Sequence, residues 1–79
     1  MRTDALKWAA SRATARDAVI FVLVSDRETA MNITNATFIR GRTLKSLQTY
    51  NSKITRMTLV RLVEEGLVEH VGFNYILKM

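Results

Sequence analysis

A chain of 79 residues with no cysteine and a single histidine, His70, cannot build a disulfide framework, a thiol nucleophile or a Cys-containing or multi-His metal site. At 48% apolar composition, with no linker-like tract, it reads as one domain over 1–79 with a thin stability margin, which dimerisation would relieve. The formal charge of +5 is unevenly spread: Thr29 to Val63 contains no Asp or Glu but holds Arg40, Arg42, Lys45, Lys53, Arg56 and Arg61, a segment whose self-repulsion a polyanionic partner offsets.

In chain order, Thr3 with Asp4 in the first turn predicts a short amphipathic helix carrying Leu6, Ala9, Ala10 and Ala13 on one stripe. Trp8 falls beside that stripe and is expected to pack against the body, ahead of facing a dimer partner or a bound strand. Thr14 and Asp17 have capping-box spacing, which favours a second helix over the apolar run Ala18 to Val24, closed by Ser25-Asp26. The β-branched content of that run fits a buried strand as well. At seven residues it is far short of a membrane span, and a cytoplasmic protein is the expectation. From Glu28 to Gly41 the Asn- and Thr-rich pattern suits a short strand or turn.

Beyond Gly41, Thr43 is placed to cap a helix with Leu44, Leu47 and Tyr50 on one face, and Asn51-Ser52 supplies a stop and a new cap. The next helix is predicted over 53–65, with Thr55, Leu59, Leu62 and Val63 inward and Lys53, Arg56, Met57 and Val60 outward. Gly66 takes the position after its end. Leu67 to Val71 and Asn74 to Leu77 flank Gly72-Phe73, which predicts a hairpin pairing Val68 with Leu77 and His70 with Tyr75. Those four side chains are expected to face the domain, with His70 packed and hydrogen-bonded.

Two short helices joined by a tight turn, the second with a polar and basic face, have the helix-turn-helix pattern, in which residues near the start of the second helix reach base edges. Here those are Asn51, Ser52, Lys53 and Arg56. The alternative first helix is 36–39, which places Arg40, Arg42 and Lys45 in a loop. Arg56 is the candidate for a bidentate contact to guanine, and Lys53, Arg40, Arg42 and Lys45 for phosphate contacts. Arg61 is expected to pair with Glu65 four residues on.

The stretch LKSLQTYNSKITRMTLVRLVEEGLVEHVGFNYILK, Leu44 to Lys78, resembles the winged-helix family of bacterial, phage and plasmid transcription regulators, most specifically in RLVEEGLVE, Arg61 to Glu69. The resemblance covers under half the chain. It implies an α+β, mainly α, winged helix-turn-helix fold with a short C-terminal β-hairpin wing, with helix-turn-helix over 43–65 and wing over 67–78. The N-terminal helices over 1–25 are the expected dimer surface on a separate ground, because Leu6, Trp8 and Ala18 to Val24 supply more apolar area than one short recognition unit can cover. The resemblance further implies binding to double-stranded DNA with Asn51, Ser52, Lys53, Arg56 and Met57 at recognition-helix positions. Two departures stand out. The tip Gly72-Phe73-Asn74 lacks the cation common in family wings, and Val60 stands where relatives often have a polar residue. Outward Met57 and Val60 also suit a protein-interaction module or phage-type inhibitor of a host protein. An RNA binder lacks its expected aromatic pair. No nucleophile, base or metal cluster is evident, so neither catalysis nor a cofactor is expected.

Overall fold

The computed structural model describes residues 2–34 and 41–78, with side chains for 5–29 and 41–78. Its first element, α1 (Arg2–Arg12), already includes Thr3, which the sequence pattern places just before the helix. Trp8 is 62% exposed rather than packed against the body; the Arg12 guanidinium sits 4.2 Å from its ring centroid. Thr14 opens α2 (Ala15–Thr34), its hydroxyl accepting from the Asp17 amide at 3.2 Å and its carbonyl from Ala18 N at 2.9 Å.

Helix wins over strand for the apolar run because Ala18, Val19, Val22 and Leu23 lie at helical spacing and are all buried; tertiary packing overrides the β-branched preference. The helix also runs through Ser25-Asp26, where a stop was expected. Asp26 has a tertiary partner, Arg42, so its carboxylate has no need of a helix end. Residues 28–34 are accordingly helical, not strand or turn, while 35–40, including Arg40 and the alternative first helix at 36–39, lie outside the described residues.

The chain re-enters at Gly41, whose φ of 80° is the first reason for glycine there. The second is space: a Cβ would lie 2.6 Å from the Tyr75 carbonyl oxygen and overlap the Ile76 side chain. A two-residue strand, β1 (Arg42–Thr43), follows and was not foreseen, being too short for any periodicity. Thr43 then caps α3 (Leu44–Tyr50), as expected, by accepting from Ser46 N at 3.2 Å.

The next helix starts three residues later than the sequence pattern suggests. Ser52 and Lys53 form a turn, Ile54 is fully buried, and Thr55 caps α4 (Arg56–Glu64) in a reciprocal box with Thr58. Thr55 is thus an exposed cap and not a core residue, and Val63 lies at the surface while Leu59 and Leu62 point inward. Gly66, with φ 80°, ends the helix: Leu67 N donates to Leu62 O and Gly66 N to Val63 O, the Schellman pattern.

The hairpin comprises β2 (Val68–Val71) and β3 (Asn74–Leu77) in the expected register, Val68 opposite Leu77 and His70 opposite Tyr75, around Gly72 with φ 62°. β1 adds to the far side of β3, pairing Arg42 with Tyr75 and Thr43 with Asn74, which gives an antiparallel sheet of order β1-β3-β2. Val68 and Tyr75 are buried as predicted. His70 is not: it is exposed and lies flat on the Tyr75 ring, centroids 4.3 Å apart and planes 9° from parallel.

Arg42 fastens this sheet to the helices. Its guanidinium donates to both Asp26 oxygens, at 2.5 and 2.9 Å, and to Ser46 Oγ at 3.0 Å, and it lies over the Tyr50 ring. The hydrogen bond to Asp26 is the main reason its pKa is raised, outweighing desolvation. A raised pKa means that Arg42's side of the pair contributes fully below the guanidinium range and is lost only at the alkaline extreme. Both side chains are about a quarter exposed, 25% and 24%. Asp26→Ala is therefore expected to cost about 1–2 kcal/mol, seen as a fall in thermal midpoint of roughly 4–16 °C.

Candidate nucleic-acid interface

α4 has three faces. Leu59 and Leu62 fill the core together with Ile54 of the preceding turn and Leu47 of α3. A second face looks toward the start of α2, where Glu65 pairs with Arg16, 49 residues earlier in the chain. This displaces the expected helical pair: Arg61 lines the same depression but makes no ion pair among the described residues. The third face is open and carries Arg56, Met57 (57% exposed) and Val60 (40% exposed).

The two remaining members of the predicted set in this region, Ser52 and Lys53, are exposed in the turn immediately before α4. Lys45 is exposed on α3 and lines, with Arg56, one open groove of about 1050 Å³ between α3, α4 and the hairpin. Val60, Val63, Tyr75 and Phe73 make much of its wall apolar, and Glu64 stands in it as well. The side chains of Lys45, Lys53 and Arg56 make no hydrogen bond or ion pair among the described residues, although the backbones of Lys45 and Lys53 do. The structure therefore brings Lys45, Ser52, Lys53, Arg56 and Met57 to the surface of one helix pair.

Two predicted contact residues are not presented there. Arg42 is taken up by Asp26, Ser46 and Tyr50, as described above. Asn51 is 4% exposed. Its amide nitrogen donates to Ala10 O at 2.8 Å and Ala13 O at 3.0 Å, and its oxygen accepts from Lys53 N at 2.9 Å. The residue satisfies carbonyls freed at the end of α1, which is why a polar side chain is buried there.

Sequence reasoning also missed the groove, because Val63, four residues after Leu59 and next to Leu62, was assigned to the inward stripe although it lies at that stripe's open edge. It likewise missed the isolation of Phe73, 88% exposed at the hairpin tip. Only the absence of other apolar residues at 72–74 hinted at it. No helix among the described residues is long and apolar enough to cross a membrane. No protein-family model matches the sequence, and neither a curated protein nor a solved structure matches it significantly.

Proposed function

We propose that this chain is a small sequence-specific DNA-binding protein, a transcriptional regulator of winged-helix architecture. In this reading α3 and α4 are the helix-turn-helix pair, α4 the recognition helix and β2-β3 the wing; α2, β1 and the sheet order β1-β3-β2 support it. One observation carries the DNA reading. Arg16 at the surface and the partly buried Arg42 are paired with carboxylates of other elements, whereas the side chains of Lys53 and Arg56 at the amino end of α4 are exposed and unpaired among the described residues. An unpaired basic face beside a helix start suits phosphates and the major groove.

The protein acts as a dimer on a two-fold site, occupying an operator-like sequence without a ligand. The apolar run over 18–24 contributes less to such a surface than its sequence suggests, since Ala18, Val19, Val22 and Leu23 are in the core; Trp8 and Phe21 are what remain exposed. The test is titration of duplex DNA at low and raised salt. Affinity falls steeply with salt if phosphates are bound. Absence of binding at low salt, or an affinity indifferent to salt, overturns the reading.

A second reading, a winged-helix module or phage-type inhibitor that docks on a host protein, draws on Met57 and Val60. Exposed apolar side chains on the open face of α4 suit a protein surface better than a phosphate-lined one. Salt-insensitive binding to a protein with no DNA affinity favours it.

A further inference from the structure

We infer that Phe73 is an apolar wedge by which the hairpin enters a duplex, opening a base step in the minor groove beside the site read by α4. The inference rests on the DNA-binding reading and gives the wing a mechanism that does not need charge.

Phe73 is the most exposed large apolar side chain among the described residues, at 88%. A single exposed apolar residue ordinarily needs no explanation, but the setting of this one is specific. It occupies the two-residue turn of the hairpin, next to Gly72 in a left-handed conformation. Asn74, directly after it, pairs with Val71 on one side and with Thr43 on the other, so the tip is held by strands on both flanks. Thr43 also caps α3, which ties the tip to the helix-turn-helix pair. An aromatic ring on so short and braced a turn loses little freedom on binding.

The direction is right as well. Phe73 lines the same groove as Arg56 and Val60, which places the tip on the side of the molecule that α4 presents. From Val68 to Leu77 there is no Lys or Arg, and the hairpin's one lysine, Lys78, lies beside Leu67 at the end away from the tip, so the tip has no cation of its own with which to hold a phosphate. What it offers is an apolar ring. Phe is among the side chains that minor-groove binders insert between base steps, and pyrimidine-purine steps open most readily.

The experiment compares the unaltered protein with Phe73→Ala and Phe73→Leu on a duplex selected from a random pool as the tightest bound, with 2-aminopurine placed beside its TA or CA steps. Folding is monitored by thermal midpoint, which an 88%-exposed residue should leave unchanged. The expected result is a rise in 2-aminopurine fluorescence with the unaltered protein that Phe73→Ala abolishes. Affinity for that variant should be weaker by roughly five- to a hundredfold, the range of losing one base-aromatic stack, with the slope against salt unchanged. Phe73→Leu, still an apolar wedge, should retain part of both effects. If Phe73→Ala binds as tightly and gives the same fluorescence, the wedge is overturned while the DNA reading stands. A shallower salt slope for Phe73→Ala also overturns the wedge, since it shows the tip acting through phosphates. Absence of binding by the unaltered protein overturns both.

Discussion

Reversing two charges together, Lys53→Glu with Arg56→Glu, is expected to weaken DNA binding by at least about a hundredfold while leaving the thermal midpoint within a degree or two. Each side chain is exposed and unpaired among the described residues, so the fold loses no interaction when either changes. The duplex loses much more. Each phosphate contact removed lowers the slope of affinity against salt by about 0.9, and the introduced carboxylates repel the backbone they replace contact with. Arg56 has a separate component. A planar guanidinium can hold two acceptors on guanine, which is worth about 1–3 kcal/mol of discrimination against the wrong base. Arg56→Lys should therefore keep most of the salt slope but relax sequence preference, measured by competition between the selected duplex and single-base variants of it. Unchanged affinity in the doubly reversed protein, with its midpoint intact, would exclude α4 as the binding element.

Asn51→Ala is expected to do the reverse, lowering stability by about 2–4 kcal/mol and the thermal midpoint by roughly 8–32 °C. Three hydrogen bonds disappear at a residue that is 4% exposed, and the Ala10 and Ala13 carbonyls each lose a donor, Ala10 keeping only the longer bond from Ala13 N. Asn51→Asp should be at least as damaging, because a carboxylate retains the acceptor for Lys53 N but turns its other oxygen toward two carbonyl oxygens. Under conditions where the Ala variant remains folded, its affinity for DNA should fall only modestly, through the loosened amide of Lys53. A residue that touched bases would give the opposite pattern, a large loss of affinity at an unchanged midpoint. Thermal denaturation together with DNA titration of the same preparation distinguishes the two.

How far the sequence could be read depended on the range of the interactions involved. The hairpin register, the Thr43 cap and the Gly66 stop were legible because each is decided within a few residues. Thr14 and Asp17 belong to the same class. The start of α4 was not, since Ser52 and Thr55 are both competent caps and the choice between them is made by burial of Ile54 against the core. That error of three residues placed Asn51 near the recognition positions, whereas Val63 was misjudged because it sits at the edge of the stripe that Leu59 and Leu62 define. Arg42 and Arg56 are the same residue type in the same basic stretch. Only Asp26, distant in sequence and brought close by the length of α2, separates the one that holds the fold together from the one left facing outward. His70 shows the limit of strand alternation: its partner Tyr75 is buried as the pattern requires, but the imidazole stacked on it lines the open groove and stays exposed.

The pairing of β1 with β3 also has a kinetic consequence. Its two rungs, Arg42 with Tyr75 and Thr43 with Asn74, bridge residues between which all of α3 and α4 must first be laid down. The helices and the β2-β3 hairpin need only local contacts and form on microsecond timescales, whereas closing this loop incurs its full entropy cost for a ladder of two residues. β1 should thus join last in folding, and only then do its rungs and the Arg42 contacts with Asp26 and Ser46 brace the hairpin tip. Pulse-labelling amide hydrogen exchange during refolding would register this as late protection at the β1 rungs after that of the hairpin.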